Sequence, residues 1–305
     1  MKTTFSSSSP RGAWRVLFKP VPVACLSFLI VLICASIFGP AWTGYAYDQM
    51  SSLQFAAPSW AHWCGTDLLG RDLFTRILHG GRISLTVGLI GTVVSLTVGV
   101  SYGMIAGYFG GKVDLVMMRF VDILYSLPRL VFVIVLITAL DQFSRNVLGW
   151  LGLNDWVIHA RMILLFIGLG IVEWLTMARI VRGQVLTLKE QQFVLAARTL
   201  GASTVRILFR HLLPNLIGII IVYLTLTIPV VILEESFLSF LGLGIQAPQA
   251  SWGSLISDGA GVLNPIHISW WLIACPGIIM GLTLLSLNLL GDHLRDFLDP
   301  RILKK

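Results

Sequence analysis

Gln191-Gln192-Phe193-Val194-Leu195-Ala196-Ala197-Arg198-Thr199-Leu200-Gly201-Ala202-Ser203-Thr204-Val205-Arg206-Ile207-Leu208-Phe209-Arg210-His211-Leu212-Leu213-Pro214-Asn215 is a polar, helix-forming island in a chain that is otherwise almost wholly apolar. It is not another membrane crossing. Its punctuation predicts helix, break, helix: Gly201 suits the position just past a helix end and Ser203 suits the N-cap of the next helix. Pro214 marks where that second helix gives way to another. Such a segment is either a docking element for a second protein or an amphipathic linker lying on lipid, with Arg198, Arg206 and Arg210 touching phosphates.

The surroundings weigh on that choice. The chain has 305 residues, 56% hydrophobic and 12% charged, far too apolar for a soluble domain of this size. It is read as an integral membrane protein. The net charge of +7 raises nucleic acid as a partner, but no basic cluster with interleaved aromatic residues accompanies it, and the charges flank apolar runs as topology signals do. Cys25, Cys34, Cys64 and Cys275 have no metal or redox spacing, and Cys64 is the one thiol expected to see water. His62 and His79 share a loop without the pattern of a metal site, so no metal ligands are assigned.

Six apolar runs are long enough to cross a ~30 Å hydrocarbon core at ~1.5 Å per residue. They lie at about 21–42, 83–108, 117–140, 162–181, 215–241 and 270–290. Residues 1–20 form a basic tail without acids, 44–82 a polar loop, 182–214 the segment quoted above with its approach, and 302–305 a short tail. The first run is too long, and lacks a good cleavage site, for a secretory signal. Most of the 22 lysines and arginines fall on the side of the 182–214 segment if both ends are inside, which puts that segment in the cytoplasm. Trp42, Tyr45, Trp150, Trp252, Trp270 and Trp271 then fit an outer interfacial belt.

The third run is not clean. It holds Arg119 and Asp122 on one helix face and Pro128-Arg129 near its middle, while Glu173 lies in the fourth run and Glu234-Glu235 in the fifth. Charges inside spans are costly and mark pathways or packing pairs, so Arg129, Glu235 and Ser236 are candidate translocation residues. Glu235 is preferred to Glu234, both being expected near the outer mouth.

Several segments then resemble one family. The spacing Leu195-Ala196-Ala197, three residues, Gly201, nine residues, His211-Leu212-Leu213-Pro214 resembles the signature loop of ABC-importer permeases, with Leu195 for the usual acid and His211 for the usual aliphatic residue. Gly65-Thr66-Asp67-Leu68-Leu69-Gly70-Arg71-Asp72, the run Glu235-Ser236-Phe237-Leu238-Ser239-Phe240-Leu241-Gly242-Leu243-Gly244 and the tail after Asn288 resemble the C-type permease of the oligopeptide/dipeptide family. The resemblance implies an all-α fold of six spans over 21–301, of the type I importer kind, with cytoplasmic termini in a bacterial inner membrane. It implies a coupling loop carried by Ala196, Ala197, Arg198, Gly201, Ala202, Ser203, Arg206 and Pro214, whose small residues allow close approach to an ATPase groove. Expected partners are a homologous second permease, two ABC ATPase subunits, an extracytoplasmic peptide-binding protein and lipid.

No Gly-x-x-x-x-Gly-Lys-Ser/Thr loop is present, so ATP and Mg²⁺ are expected on the partner subunits and no cofactor on this chain. The cargo implied is an oligopeptide or dipeptide, with nickel complexes or glutathione as alternatives in the same importer class. An intramembrane hydrolase is the competing class, resting on Gly201-Ala202-Ser203, but no His or Asp is placed to activate that serine. A channel explains the spans but not the docking segment.

Overall fold

A computed structural model describes residues 20–152, 160–263 and 268–298. The tails at 1–19 and 299–305, and with them most of the expected basic N-terminal tail, lie outside the described residues. The described elements are α1 (Pro20–Thr43), α2 (Leu73–Phe109), α3 (Gly111–Ser126), α4 (Arg129–Trp150), α5 (Ala160–Leu188), α6 (Gln192–Thr199), α7 (Thr204–Phe240), α8 (Trp252–Gly261) and α9 (Trp271–Leu298). Six of these, α1, α2, α4, α5, α7 and α9, are long and apolar enough to cross a membrane.

Two expected boundaries are corrected. The third run, 117–140, is not one helix. Leu127 (φ −81°, ψ 135°) is extended, because the ring of Pro128 clashes with a helical residue before it, and the chain splits into α3 and α4 there. The crossing helix of this pair is α4, which begins at Arg129. The second span also starts inside the segment expected as loop 44–82. Asp72 caps α2 by accepting from Thr75 N at 2.8 Å, and the helix runs on through Arg76 because that guanidinium is buried against Asp67.

The centre of the bundle is the pair α2 and α5, which holds more contact than any other pair. Gly91, Ser95, Gly99, Gly103 and Gly107 recur every fourth residue and make one face of α2 almost smooth. A Cβ at Gly103 would lie 2.5 Å from the Ala178 carbonyl oxygen, and one at Gly99 2.8 Å from that of Trp174. Lipid offers no hydrophobic drive for helices to associate, so backbone-to-backbone approach of this kind is what supplies the packing energy.

Among the described residues, four apolar clusters lie along this axis. At one end, Leu73, Ile77, Trp252, Leu255 and Leu272 join α2, α8 and α9 beneath the 44–72 loop. At the other, Val100, Met104, Met177, Val181, Val185, Val194, Ile207 and Leu212 join α2 and α5 to α6 and the start of α7. Trp252 is fully buried, so it leaves the expected aromatic belt, whereas Trp42, Trp150 and Trp270 are exposed.

The 44–72 loop is knotted by the residues of the Gly-Thr-Asp-x-x-Gly-Arg-Asp motif. Asp67 Oδ1 accepts from Leu69 N and Arg71 N, both at 2.9 Å, and its Oδ2 accepts from Arg71 Nε at 2.7 Å and Arg76 Nη1 at 2.5 Å. Asp72 Oδ1 meets His62 Nδ1 at 2.9 Å. Gly70 (φ +70°) packs against the backbone of Ser51, where any side chain would collide. The motif therefore builds the loop and caps α2.

Candidate functional site

The segment quoted first folds as its punctuation predicts up to Ser203. Gly201 takes φ +78°, Ala202 N donates to Ala197 O and Gly201 N donates to Arg198 O, both at 3.0 Å, which is the paired closure of a Schellman turn at the end of α6. Ser203 Oγ accepts from Arg206 N at 3.4 Å and starts α7. That hydroxyl is committed to a cap.

The expected break at Pro214 does not occur. Proline lacks the N–H of the next helical bond, and the chain absorbs this by widening over Ile207–Leu212 into a π turn, closed by Leu213 N donating to Leu208 O. The helix then continues to Phe240.

Burial sorts the residues of this segment by role. Val194 belongs to the cluster of α2 and α5 and Ala197 is buried too, while Ala196, Arg198, Gly201, Ser203, Arg206 and Pro214 are exposed and Ala202 is half-buried. Ala197 thus touches its own bundle and does not face outward, as its small side chain had suggested. Apolar side chains face outward beside these polar ones: Phe193, Leu195, Val205 and Phe209 are exposed, and Leu200, at the turn between the helices, is 87% exposed. The segment is clamped to the bundle, because the Arg198 guanidinium lies 5.3 Å from the Tyr108 ring centroid and Lys189 Nζ donates to Gly107 O at 2.8 Å.

A second constellation gathers at the broken start of α4. Arg129 Nη1 is 3.0 Å from Glu173 Oε1 and 3.9 Å from Glu234 Oε1. Glu173 lies midway along α5 and is buried, so Glu234, near the end of α7, sits beside the middle of α5. The other oxygen of Glu234 is buried without a hydrogen-bond partner among the described residues. Glu234 and Ser236 line a cavity of about 440 Å³ whose remaining walls include Leu130, Phe237, Phe240, Ile256 and Met280.

Glu235 points the other way. It is fully buried, accepting from Ser239 Oγ at 2.6 Å on one oxygen and from Ser84 Oγ at 3.2 Å and Ser236 Oγ at 3.4 Å on the other. The serines pass the network on: Ser84 Oγ accepts from Trp252 N at 3.3 Å and Ser239 Oγ from Ile245 N at 3.1 Å. Glu235 therefore ties α2, α7 and α8 together. Of the adjacent pair, Glu234 and not Glu235 reaches the cavity, since neighbours on a helix point about 100° apart and the serine cage holds the second.

The two histidines considered for metal binding are occupied otherwise. His62 bonds Asp72, and His79 Nε2 meets Gln249 Oε1 at 2.8 Å while its ring stacks on Tyr47 at 3.9 Å.

Residues 99–304 match the family described as the binding-protein-dependent transport system inner membrane component. The chain is 44% identical over 299 residues to the dipeptide transport system permease protein DppC of Bacillus subtilis (strain 168), covering 97% of this chain and 87% of that one. The chain belongs to this permease family. It is a transport component, not a catalytic one.

The permease is also 44% identical over 290 residues to the oligopeptide transport system permease protein OppC of Escherichia coli (strain K12), covering 94% of this chain and 89% of that one. Its fold is similar to the inward-facing MetNI methionine ABC transporter, with a TM-score of 0.54, 14% identity, and 73% of this chain and 96% of that chain covered. In this permease the exposed tip Leu200, the grouping of Glu173 and Glu234 about Arg129, and the α2 glycine stripe go beyond what the sequence singles out. The period of four from Gly91 to Gly107 is the available signal for the stripe; nothing in the linear sequence ties Glu173 to Arg129.

Proposed function

We propose that this chain is the C-type permease of an ATP-driven importer of oligopeptides or dipeptides in a bacterial inner membrane. The observation that carries the reading is the α6–α7 elbow: an apolar tip, Leu200, presented on a segment bolted to the central pair α2 and α5. An exposed apolar tip on a rigid mount suits insertion into a groove of another protein, and the names of the relatives supply the importer class. Two ABC ATPase subunits, holding ATP and Mg²⁺, a second homologous permease and an extracytoplasmic peptide-binding protein complete the assembly. The termini and the elbow lie in the cytoplasm, and the 44–72 loop lies outside.

In this reading, closure of the ATPase pair moves the elbow, and the movement passes through the tight α2–α5 contact to the group of Arg129, Glu173 and Glu234. A conformational switch needs contacts that differ between its two states. The cavity beside Glu234 and Ser236 is one wall of the peptide path, its carboxylate suited to a peptide ammonium group and its apolar faces to side chains. Nucleotide-driven peptide uptake into proteoliposomes holding the reconstituted complex tests this. Uptake that persists without the ATPase subunits overturns the importer reading.

A further inference from the structure

A cavity of about 530 Å³ lies between the knotted end of the 44–72 loop, the start of α2 and α8, at the end of the bundle away from the α6–α7 elbow. Leu69, Leu255, Val262 and Leu272 give it apolar walls, and Arg71, Arg76 and Asp258 stand among them. It shares no lining residue with the cavity beside Glu234 and Ser236.

Donors and acceptors around this cavity do not balance. Asp67 already accepts from Leu69 N, Arg71 N, Arg71 Nε and Arg76 Nη1, which is all that its two oxygens can take. Arg76 is left short of acceptors. Its side chain is 4% exposed, Nη1 is spent on Asp67, and Nε is buried with no hydrogen-bond partner among the described residues. Nη2 reaches Asp258 Oδ2 at 3.5 Å. Nε and Nη2 form one edge of the planar guanidinium, the edge a carboxylate takes with two parallel bonds. Asp258 does not take it, being 59% exposed and touching one corner at the outer limit of a hydrogen bond. A buried cation with this fork open is costly until an anion completes it.

We propose that this cavity binds the carboxylate of a small acid carrying an apolar side chain, with the carboxylate displacing Asp258 and closing on the Nε–Nη2 edge of Arg76. Arg71, whose one ion-pair partner among the described residues is Asp67, brings a second guanidinium to the same cavity. The apolar walls receive the side chain, and the volume falls in the range of about 300–1,000 Å³ common for small-molecule sites. Both sides are fixed before a ligand arrives. Asp67 knots one, and at the other Ser254 N donates to Ser251 Oγ at 3.2 Å while Ser251 N donates to Ser254 Oγ at 2.9 Å, which caps α8. A free amino-acid derivative and the C-terminal end of a short apolar peptide present the same chemistry. The site stands on this geometry and does not rest on the importer reading.

The purified complex in nanodiscs is photolabelled with N-acetyl-photoleucine, a carboxylate with an apolar diazirine side chain, and the adducts are mapped by mass spectrometry. They are expected on the lining, at residues 68–73, 254–262 or 272. N-acetyl-leucine or Ala-Ala-Leu should compete and N-acetyl-leucinamide should not, the stronger competitor showing whether the free acid or the peptide end is the ligand. Asp258→Ala removes the internal competitor, so N-acetyl-leucine should bind about tenfold more tightly, whereas Arg76→Lys keeps a cation opposite Asp67 without the fork and should bind it about tenfold more weakly. Equal competition by the acid and the amide, adducts confined to other parts of the chain, or an affinity unchanged by Asp258→Ala overturns the site. Because Asp258 is exposed on α8, its variant decides the matter even where Arg76→Lys does not fold.

Discussion

Arg129 and Glu173 meet at 3.0 Å, one at the first residue of α4 and the other midway along α5, so the break before Pro128 puts a cation where the central helix carries its buried acid. An ionised side chain within a membrane-spanning bundle is costly unless paired, which is why such a group faces a partner or a path and not lipid.

Arg129→Gln leaves Glu173 buried without its cation. The assembled complex should therefore fall in amount on a native gel. Arg129→Gln/Glu173→Gln removes both charges and should restore assembly, yet uptake should remain low because the charged group beside the path is gone. Full uptake by the double variant would show that the pair serves packing alone.

Glu235 predicts a stability effect instead. Glu235→Ala strands Ser84 and Ser239, whose hydroxyls also receive backbone N–H groups, and orphaning buried polar groups costs about 1–3 kcal/mol each. The thermal midpoint of the complex in detergent should drop for Glu235→Ala, with Glu235→Gln between it and the parent. An unchanged midpoint for Glu235→Ala would remove Glu235 as the tie between α2, α7 and α8.

At the elbow, Leu200 and Ala197 should behave oppositely. Leu200→Asp alters a tip that is 87% exposed, so insertion and folding should stay normal while capture of the ATPase subunit falls tenfold or more, about 1.4 kcal/mol. Ala197→Trp overfills a buried position on α6 and should lower the amount of folded protein. Normal ATPase capture by Leu200→Asp would mean the groove is engaged by other residues.

The sequence makes the elbow legible because its structure is local. Gly201 and Ser203 act within one turn of where they stand, and turn chemistry of that range can be read from spacing. The crossing helices are legible for a similar reason, since length and hydropathy suffice. Charged residues blur the ends: Arg76 looks like loop until Asp67 is seen to bury it. Which of Glu234 and Glu235 meets Ser84 and Ser239 and which lines the cavity is a tertiary fact that the sequence does not carry. Pro214 misled because a π turn absorbs its missing N–H without a visible mark in the sequence.

In the proposed coupling, movement of the elbow reaches the Arg129 group through packed helices, and Gly103 lies where α2 touches the backbone of α5. A methyl group there would press on the Ala178 carbonyl, an atom that cannot rotate away. Gly103→Ala should cost about 1–3 kcal/mol of stability through overpacking. A Cβ added at Gly183, on the same α5 helix, would meet nothing within 4 Å among the described residues, so Gly183→Ala serves as the control and should be close to neutral. The consequence for coupling is sharper. Because α5 runs on toward α6 after Leu188, a helix pair held apart at Gly103 carries the elbow out of register with Glu173. Gly103→Leu complexes that still assemble should hydrolyse ATP while importing little peptide, a raised ratio of ATP consumed to peptide moved. If Gly103→Leu keeps the parent ratio, the α2–α5 contact is only a packing surface, and the elbow reaches Glu173 by another route.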